Sequence, residues 1–412
     1  MNTEIRIAAR NVLRNPRRTG IALLAVAFGI AALVLALGFI EWVLWAMRET
    51  TIHSQLGHVQ IARRGFGEAG AADPFRYLLP ADTAGKLALA EVPEVRVIAP
   101  RIEFSGLASL GDTTVSFIAE GVDPRQEAAM HKRHRLGRSV NIVQGADLPA
   151  EGGNAAILGQ GLAAALGAKP GDRIVLLATP ASGGVGAIEL EVRGVFVTIS
   201  KAFDDSALRV PLDVASRLLS VTGAHKLVLV LDDTDSTARV LQALAPRAHA
   251  AGLELLPWHE ASDFYNKTVV LFGRQTGVIT VIIAVLIVLG ISSVMIMAVH
   301  ERTPEIGTVL ALGVSRRRVL LQFVLEGCLL GLVGALFGVL VGVGAAWAVS
   351  RIGIPMPPPP GQSWGYVAEI LVTPSIVVRA VLLAVVAATV TAIYPAWKAS
   401  RLPIVDALRT NR

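Results

Sequence analysis

Only one cysteine, Cys328, occurs among 412 residues, and it lies inside an apolar run, so no disulfide can form within the chain. A domain of this length can hold itself together by buried apolar surface and needs no crosslink. Charge is scarce too: Asp, Glu, Lys and Arg make up 17% of the sequence, against 53% apolar residues. That balance excludes an ordinary soluble globule and suits a membrane protein. Catalytic motifs are missing as well. The nearest approach to a phosphate loop, Gly161–Lys169, has the wrong spacing and runs into Pro170. There is no nucleophile motif, no zinc pair and no dinucleotide fingerprint. The apolar runs hold no series of carboxylates or histidines that could relay protons. The expectation is a non-enzyme with no catalytic, cofactor-binding or metal-binding residue, whose energy comes from elsewhere.

Four long apolar runs dominate what is present, at 19–47, 266–299 (strongly apolar from 277), 319–349 and 376–397. About twenty apolar residues cross the hydrocarbon core, so each run can span it. The net charge is +6, and the short segments 1–18, 300–318 and 398–412 beside the apolar runs each carry a net positive charge, whereas the 350–375 loop keeps only Arg351. The positive-inside rule puts those three segments, and so both termini, in the cytoplasm of a multi-pass membrane protein. It also accounts for the basic charge without nucleic acid. In segment 1–18, Ile5, Ala8, Ala9, Val12 and Leu13 share one face, which predicts an interfacial helix. The run that follows reads as a retained anchor, not a signal peptide.

Residues 48–265 contain no spanning run and alternate short β-type stretches (58–62, 95–99, 113–122, 173–179, 188–200, 226–231) with helical patterns (160–166, 213–220, 234–250), predicting a large α+β domain on the opposite, extracytoplasmic side. Three constellations there resemble chemistry. His131–Arg135 (HKRHR) lacks ligand spacing and reads as a solvated loop. Asp232–Asp235 (DDTD) lacks the glycine and distal glutamate of a calcium loop and reads as a helix cap. Gly183–Gly186 (GGVG) reads as a hairpin turn. Later in the chain, Gly327/Gly331 and Gly334/Gly338/Gly342 form small-xxx-small steps for close helix packing. Glu326 lies near the inner end of that run, and Pro355–Gly361 forms a stiff, proline-rich outer brace.

The polar segment 298–318 sits at the arginine-rich mouth of the bundle. Thr303 can cap a short helix, Pro304 suits its first turn and Glu305 meets the positive end of its dipole. Ile306, Val309 and Leu310 recur at helical spacing, Gly313 stops the helix and Ser315 can cap the next.

The run Glu301–Gly313 (ERTPEIGTVLALG) followed by Ser315–Val319 (SRRRV) resembles the cytoplasmic coupling loop of FtsX/MacB-type ABC transporter permeases, and Tyr394–Arg409 (YPAWKASRLPIVDALR) resembles their C-terminal signature. Gly57–Ile61 (GHVQI) and the Pro355–Gly361 run look most like the lipoprotein-releasing (LolC/LolE-like) branch. The resemblance implies four transmembrane helices with a MacB-like periplasmic domain inserted between helices 1 and 2, the type VII ABC permease fold. It implies a dimer in the bacterial inner membrane, with a second copy or a similar permease, over a cytoplasmic ABC ATPase dimer that holds the ATP and Mg. By that likeness Glu301, Thr303, Pro304, Glu305, Ile306 and Gly307 touch the ATPase: Glu301 and Glu305 as polar anchors, Thr303 as cap, Ile306 by apolar insertion and Gly307 by close backbone approach. The implied work is extraction or export, by mechanotransmission, of a lipoprotein, periplasmic protein or lipid substrate from the outer side, with a hydrophobic cleft between the first two spans. Signalling to periplasmic cell-wall hydrolases, as in FtsX, and macrolide or peptide efflux are the alternatives. The latter type carries a fused N-terminal ATPase, which is not seen here.

Overall fold

The computed structural model describes residues 8, 10, 14, 16–70, 73–133, 137–138, 140–198, 200–357 and 365–401. The interfacial helix expected over 1–18, most of the proline run and the tail beyond Arg401 therefore fall largely outside the described residues. In chain order the main elements are helix α1 (Pro16–Thr51), strands β1 (Val59–Arg63), β2 (Val95–Leu110) and β3 (Thr113–Val122), helix α2 (Pro124–His131), strands β4 (Asn141–Gly145) and β5 (Ala155–Gly159), helix α3 (Gln160–Leu166), strands β6 (Arg173–Ala178), β7 (Gly186–Val197) and β8 (Ala207–Pro211), helix α4 (Leu212–Leu219), strand β9 (Lys226–Leu231), helix α5 (Thr237–Ala250), strand β10 (Leu253–Pro257) and helices α6 (Asp263–Glu301), α7 (Thr303–Ala311), α8 (Arg316–Ile352) and α9 (Pro374–Ser400). They form two compact units, one of Met1–Leu44, Thr268–Pro355 and Val367–Arg412, the other of Trp45–Lys267 and Met356–Tyr366.

In the first unit α1, α6, α8 and α9 are each long and apolar enough to cross a membrane. The glycine steps of α8 work on two faces. A Cβ at Gly327 or Gly331 would come within 2.4 Å of the Ala392 or Ala388 Cβ on α9. At Gly338 it would come within 2.6 Å of the Ala27 carbonyl oxygen on α1, with Gly334 and Gly342 against Val26 and Val34. Helix α9 answers with Ala380, Ala384, Ala388, Ala392 and Ala396, a fully buried four-residue ladder. Among helices in lipid, where apolar side chains gain little by leaving hydrocarbon, such backbone approach supplies the packing energy. Leu336, Leu340, Val386 and Val390 stay on the surface, as hydrocarbon surroundings allow.

The second unit is built on a ten-stranded mixed sheet in the order β10-β1-β9-β2-β3-β8-β5-β7-β4, with β6 paired to both β2 and β7. Most pairs are antiparallel; β3 with β8 and β5 with β7 are parallel. Leu162, Leu166, Val214 and Leu218 of α3 and α4 cover Ile102, Phe117, Leu176 and Val192 on one part of the sheet. Val240 and Leu244 of α5 cover Val59, Ile61, Leu227 and Leu229 on another. Gly183–Gly186 lies in the hairpin between β6 and β7, where Ala178 pairs Gly186. The Asp233 carboxylate accepts from the Asp235 amide at 3.2 Å and caps the turn leading into α5. His131 departs from the expected solvated loop: it ends α2, is 3% exposed and stands 3.2 Å from Glu127.

That pair belongs to a buried ionic network. Arg101, with no exposed surface, donates to Glu127 at 2.7 and 2.9 Å, to Glu120 at 3.1 Å and to the Gln55 carbonyl at 2.6 Å. Arg209 donates to Glu120 at 2.9 Å and to the Ser54 carbonyl at 2.8 Å. Burial alone would raise both carboxyls, but the Arg101 and Arg209 charges outweigh it and hold them well below the usual carboxylate range. The two carbonyls belong to a π-helical turn, Ile52–Leu56, which Gly57 ends at φ 63 and ψ −175. Only glycine fits, because a Cβ there would stand 2.4 Å from Val228 and the conformation itself excludes one.

Beside the network, His58 Nδ1 accepts from the Leu231 amide at 3.0 Å and Nε2 lies 3.0 Å from the Thr234 hydroxyl, which in turn donates to Glu49 at 2.8 Å. This arrangement suits a neutral imidazole, and burial, aided by His53, pushes its pKa down to about 4. Burial also lowers His131 and His225. Unfolding therefore takes up protons wherever the unfolded imidazole is charged and the folded one is not, so stability is full above about pH 6.5 and falls as pH drops toward 4. We expect His58→Gln to remove up to about 3 kcal/mol of the stability difference between pH 7 and pH 4. Thermal unfolding of the full chain in detergent across that range measures it, and an unchanged pH slope in the variant contradicts it.

Candidate coupling site

The link between α6 and α8 folds around α7. Helix α6 ends at Glu301, Arg302 takes a non-helical ψ, and Pro304 enters at the first turn, where its missing N–H has no partner to lose. The helix ends in a paired Schellman closure: the Gly313 amide bonds Leu310 O at 3.1 Å and the Val314 amide bonds Val309 O at 3.3 Å, with Gly313 at φ 89. Ser315 supplies the extended N-cap backbone of α8 but no side-chain cap bond.

The apolar positions of α7 divide between a buried and an exposed side. Ile306 and Leu310 are buried in the apolar core of the bundle with Val299, Val319 and Phe323, and Gly307 is buried beside them. Ile306 therefore helps seat the helix on its own bundle, through the i, i+4 face it shares with Leu310. The apolar side chains pointing away are Val309, 39% exposed, and Leu312, 80% exposed, beside exposed Glu301, Glu305 and Thr308. Thr303 does not cap: its hydroxyl donates back to Val299 O at 3.0 Å, continuing the end of α6.

Two charge pairs fix the segment. Arg302 Nη1 reaches both oxygens of Glu326 at 3.0 and 3.1 Å, with side chains only 12% and 4% exposed. A carboxylate inside a spanning run needs such a partner, and this one ties the start of α7 to α8. Arg302 was not singled out from the sequence; the carboxylate of Glu326 inside an apolar run was the signal that could have found it. Arg14 makes a two-pronged contact with Glu305, at 3.1 Å to Oε2 and 2.5 Å to Oε1. The Arg14 hydrogen bond, then its charge, lowers the Glu305 pKa. Both groups are half-exposed, so that pair is screened and contributes little to stability.

Residues 19–247 match the MacB-like periplasmic core domain, and residues 277–404 match the FtsX-like permease C-terminal domain. The chain belongs to this permease family. It is an ABC transporter permease of the FtsX/MacB type, near the lipoprotein-releasing branch, with four transmembrane helices and a MacB-like α/β domain between the first two. The LolC lipoprotein-releasing transmembrane protein of Xylella fastidiosa (strain 9a5c) is 26% identical over 77% of this chain and 78% of its own length. The macrolide export ATP-binding/permease protein MacB of Brucella abortus is 26% identical over 88% of this chain but only 54% of its own length. The chain thus spans about half of that MacB relative. The crystal structure of the periplasmic region of MacB from Actinobacillus actinomycetemcomitans aligns with 51% of this chain and 94% of that chain, at a TM-score of 0.37 and 13% identity. Among the described residues, no group of three or more His, Cys, Asp or Glu could hold a metal ion.

Proposed function

We propose that this permease subunit couples ATP hydrolysis by a cytoplasmic ABC ATPase dimer to extraction or export of a lipidated or amphipathic substrate on the outer side of the inner membrane. The observation that carries the reading is α7: a short helix seated by Ile306, Gly307 and Leu310, pinned by Arg302 to Glu326, and turning Glu301, Glu305, Val309 and Leu312 outward. On this reading Glu301 and Glu305 anchor the ATPase by charge, Thr303 and Pro304 set the angle of entry, and Val309 and Leu312 fill its groove. ATP and Mg are held by that partner, with a second permease copy or a similar permease completing the complex. Both termini and α7 face the cytoplasm, with the sheet-containing unit in the periplasm, where the closing ATPase dimer drives it mechanically. The lipoprotein-releasing relative is matched over more of its length than the macrolide-export one, which supports a lipoprotein or similar lipid-anchored substrate.

The test is co-purification with the ATPase and ATP-dependent release of a lipoprotein from proteoliposomes. Leu312→Asp removes about 1.5–3 kcal/mol of apolar burial, so ATPase affinity is expected to fall by at least about tenfold and release with it. If the complex forms and releases substrate as before, α7 is not the docking element. If docking persists in the unaltered protein while no lipoprotein is released, the substrate assignment fails and the coupling assignment stands.

A further inference from the structure

The opening turn of α8 and the last turn of α9 enclose a cavity of about 340 Å³, lined by Arg316, Arg317, Leu320, Trp397, Ser400 and Arg401. Three arginines line it, and none of them has a carboxylate partner among the described residues. Arg401 stacks over the Trp397 ring, its Cζ 4.6 Å from the centroid, while Trp397 remains 44% exposed. Like charges drawn together without acids raise the local positive potential, and planar guanidinium forks match phosphate oxygens.

The surroundings choose between sources of that phosphate. Four residues beyond Arg317 on the same helix face lies Leu321, 44% exposed. One turn inward from Trp397 lie Ile393 and Tyr394, 48% and 64% exposed. An apolar strip therefore continues from the cationic cavity into the hydrocarbon-facing surface of both helices, with a tryptophan at the depth typical of the membrane interface. A free phosphate or an acidic protein surface would use the arginines and leave the strip unused; a phospholipid uses both.

We propose that this cavity binds an anionic phospholipid, its phosphodiester held by Arg316, Arg317 and Arg401, its glycerol region against Trp397 and an acyl chain along Leu321, Ile393 and Tyr394. Arg316 directly follows the Gly313–Ser315 link, so a bound headgroup braces the exit of α7. Only the leaflet depends on the functional reading above: cytoplasmic α7 means inner-leaflet lipid.

The test titrates the full chain in detergent with phosphatidylglycerol and with phosphatidylcholine, and counts bound lipid by native mass spectrometry. Phosphatidylglycerol is expected to bind the unaltered chain selectively. Arg317→Gln with Arg401→Gln should weaken it by about thirty-fold, since each arginine near an anionic lipid surface contributes about a fivefold factor. Arg318→Gln, outside the cavity, should leave it unchanged. A second measurement needs no arginine variant: brominated phosphatidylglycerol should quench Trp397, read as the difference from Trp397→Phe, more than brominated phosphatidylcholine does. Equal affinity in the double variant, equal quenching by the two lipids, or displacement of lipid by millimolar inorganic phosphate overturns the proposal. So does a loss of ATPase co-purification in the double variant with lipid affinity unchanged, which would assign the arginines to protein docking. Impermeant maleimide labelling of Ser315→Cys in a Cys328→Ser background separates the two readings. Labelling only after lysis supports the cytoplasmic side. Labelling in intact cells overturns the orientation and moves the lipid source to the outer leaflet, while the measured affinities stand.

Discussion

Arg101→Met is expected to destabilise the sheet-containing unit by about 3–5 kcal/mol, the range for removing one partner of a buried ion pair. Methionine fills much of the volume, so the loss comes from what is left behind. Glu127 loses both of its short contacts to Arg101, Glu120 loses one of two arginines, and the Gln55 carbonyl loses its 2.6 Å donor. Buried carboxylates stripped of compensating charge either unfold the region or take up protons. Amide exchange of β2 and β3 in the full chain reads the effect directly. Adding Glu127→Leu to Arg101→Met should recover part of the loss, because the orphaned charge goes with it. Arg173→Met, which breaks only the exposed 3.8 Å pair with Glu189, should change stability by less than about 0.5 kcal/mol. If Arg101→Met proves as mild as Arg173→Met, the network is packing and not electrostatic closure.

The four apolar runs were legible because a membrane span imposes length and composition on a contiguous stretch. The glycine steps of α8 were legible for the same reason, since small residues at four-residue spacing need only one helix to be seen. The alanine ladder of α9 carries the same pattern but was hidden, as alanine is common in any apolar helix and only the partner face shows which alanines are closed over. In the sheet, β1, the start of β2, β3, β6, β7 and β9 were read as β-type runs. Strands β5 (Ala155–Gly159), with its small residues, and β8 (Ala207–Pro211), with a buried arginine and a proline, were not. Their membership depends on neighbours distant in sequence, such as Arg209 meeting Glu120 across 89 positions. Helix α2 was missed outright, and with it the burial of His131, because Glu127 reads as solvent-facing until Arg101 is placed beside it. Along α7 the periodicity marked Ile306, Val309 and Leu310 as apolar positions but not which face met the bundle. That choice is made by packing against the rest of the bundle, α9 included, which buries Ile306 and Leu310 and leaves Val309 and Leu312 exposed.

Glu326→Leu is expected to leave ATPase docking in place while reducing substrate release by about 100-fold or more. The reason lies in how α7 is held. Glu305 and Val309 lie one turn apart on this nine-residue helix and Leu312 just past its end, and those side chains survive the substitution. Its attachment to the bundle rests on the apolar contacts of Ile306 and Leu310 and on the Arg302–Glu326 pair, where Arg302 is only 12% exposed. Without Glu326 the Arg302 guanidinium would lose the buried carboxylate that holds it at 3.0 and 3.1 Å beside α8. The relief for it is to swing out toward water, carrying the first turn of α7 away from α8. At about 3 kcal/mol or more for breaking a buried ion pair, the seated arrangement becomes a minor state, which is the origin of the expected factor. A helix that binds the ATPase but is no longer fixed to α8 absorbs movement instead of passing it on, so hydrolysis should continue without release. Leu312→Asp predicts the reverse order, with docking lost first, and the pair of variants therefore separates contact from transmission. Combining Glu326→Leu with Arg302→Met removes both charges and should restore the seat, and release with it, if the pair acts by anchoring. Should the double variant stay inactive with α7 protected from exchange, the pair has a role in transmission beyond holding the helix in place.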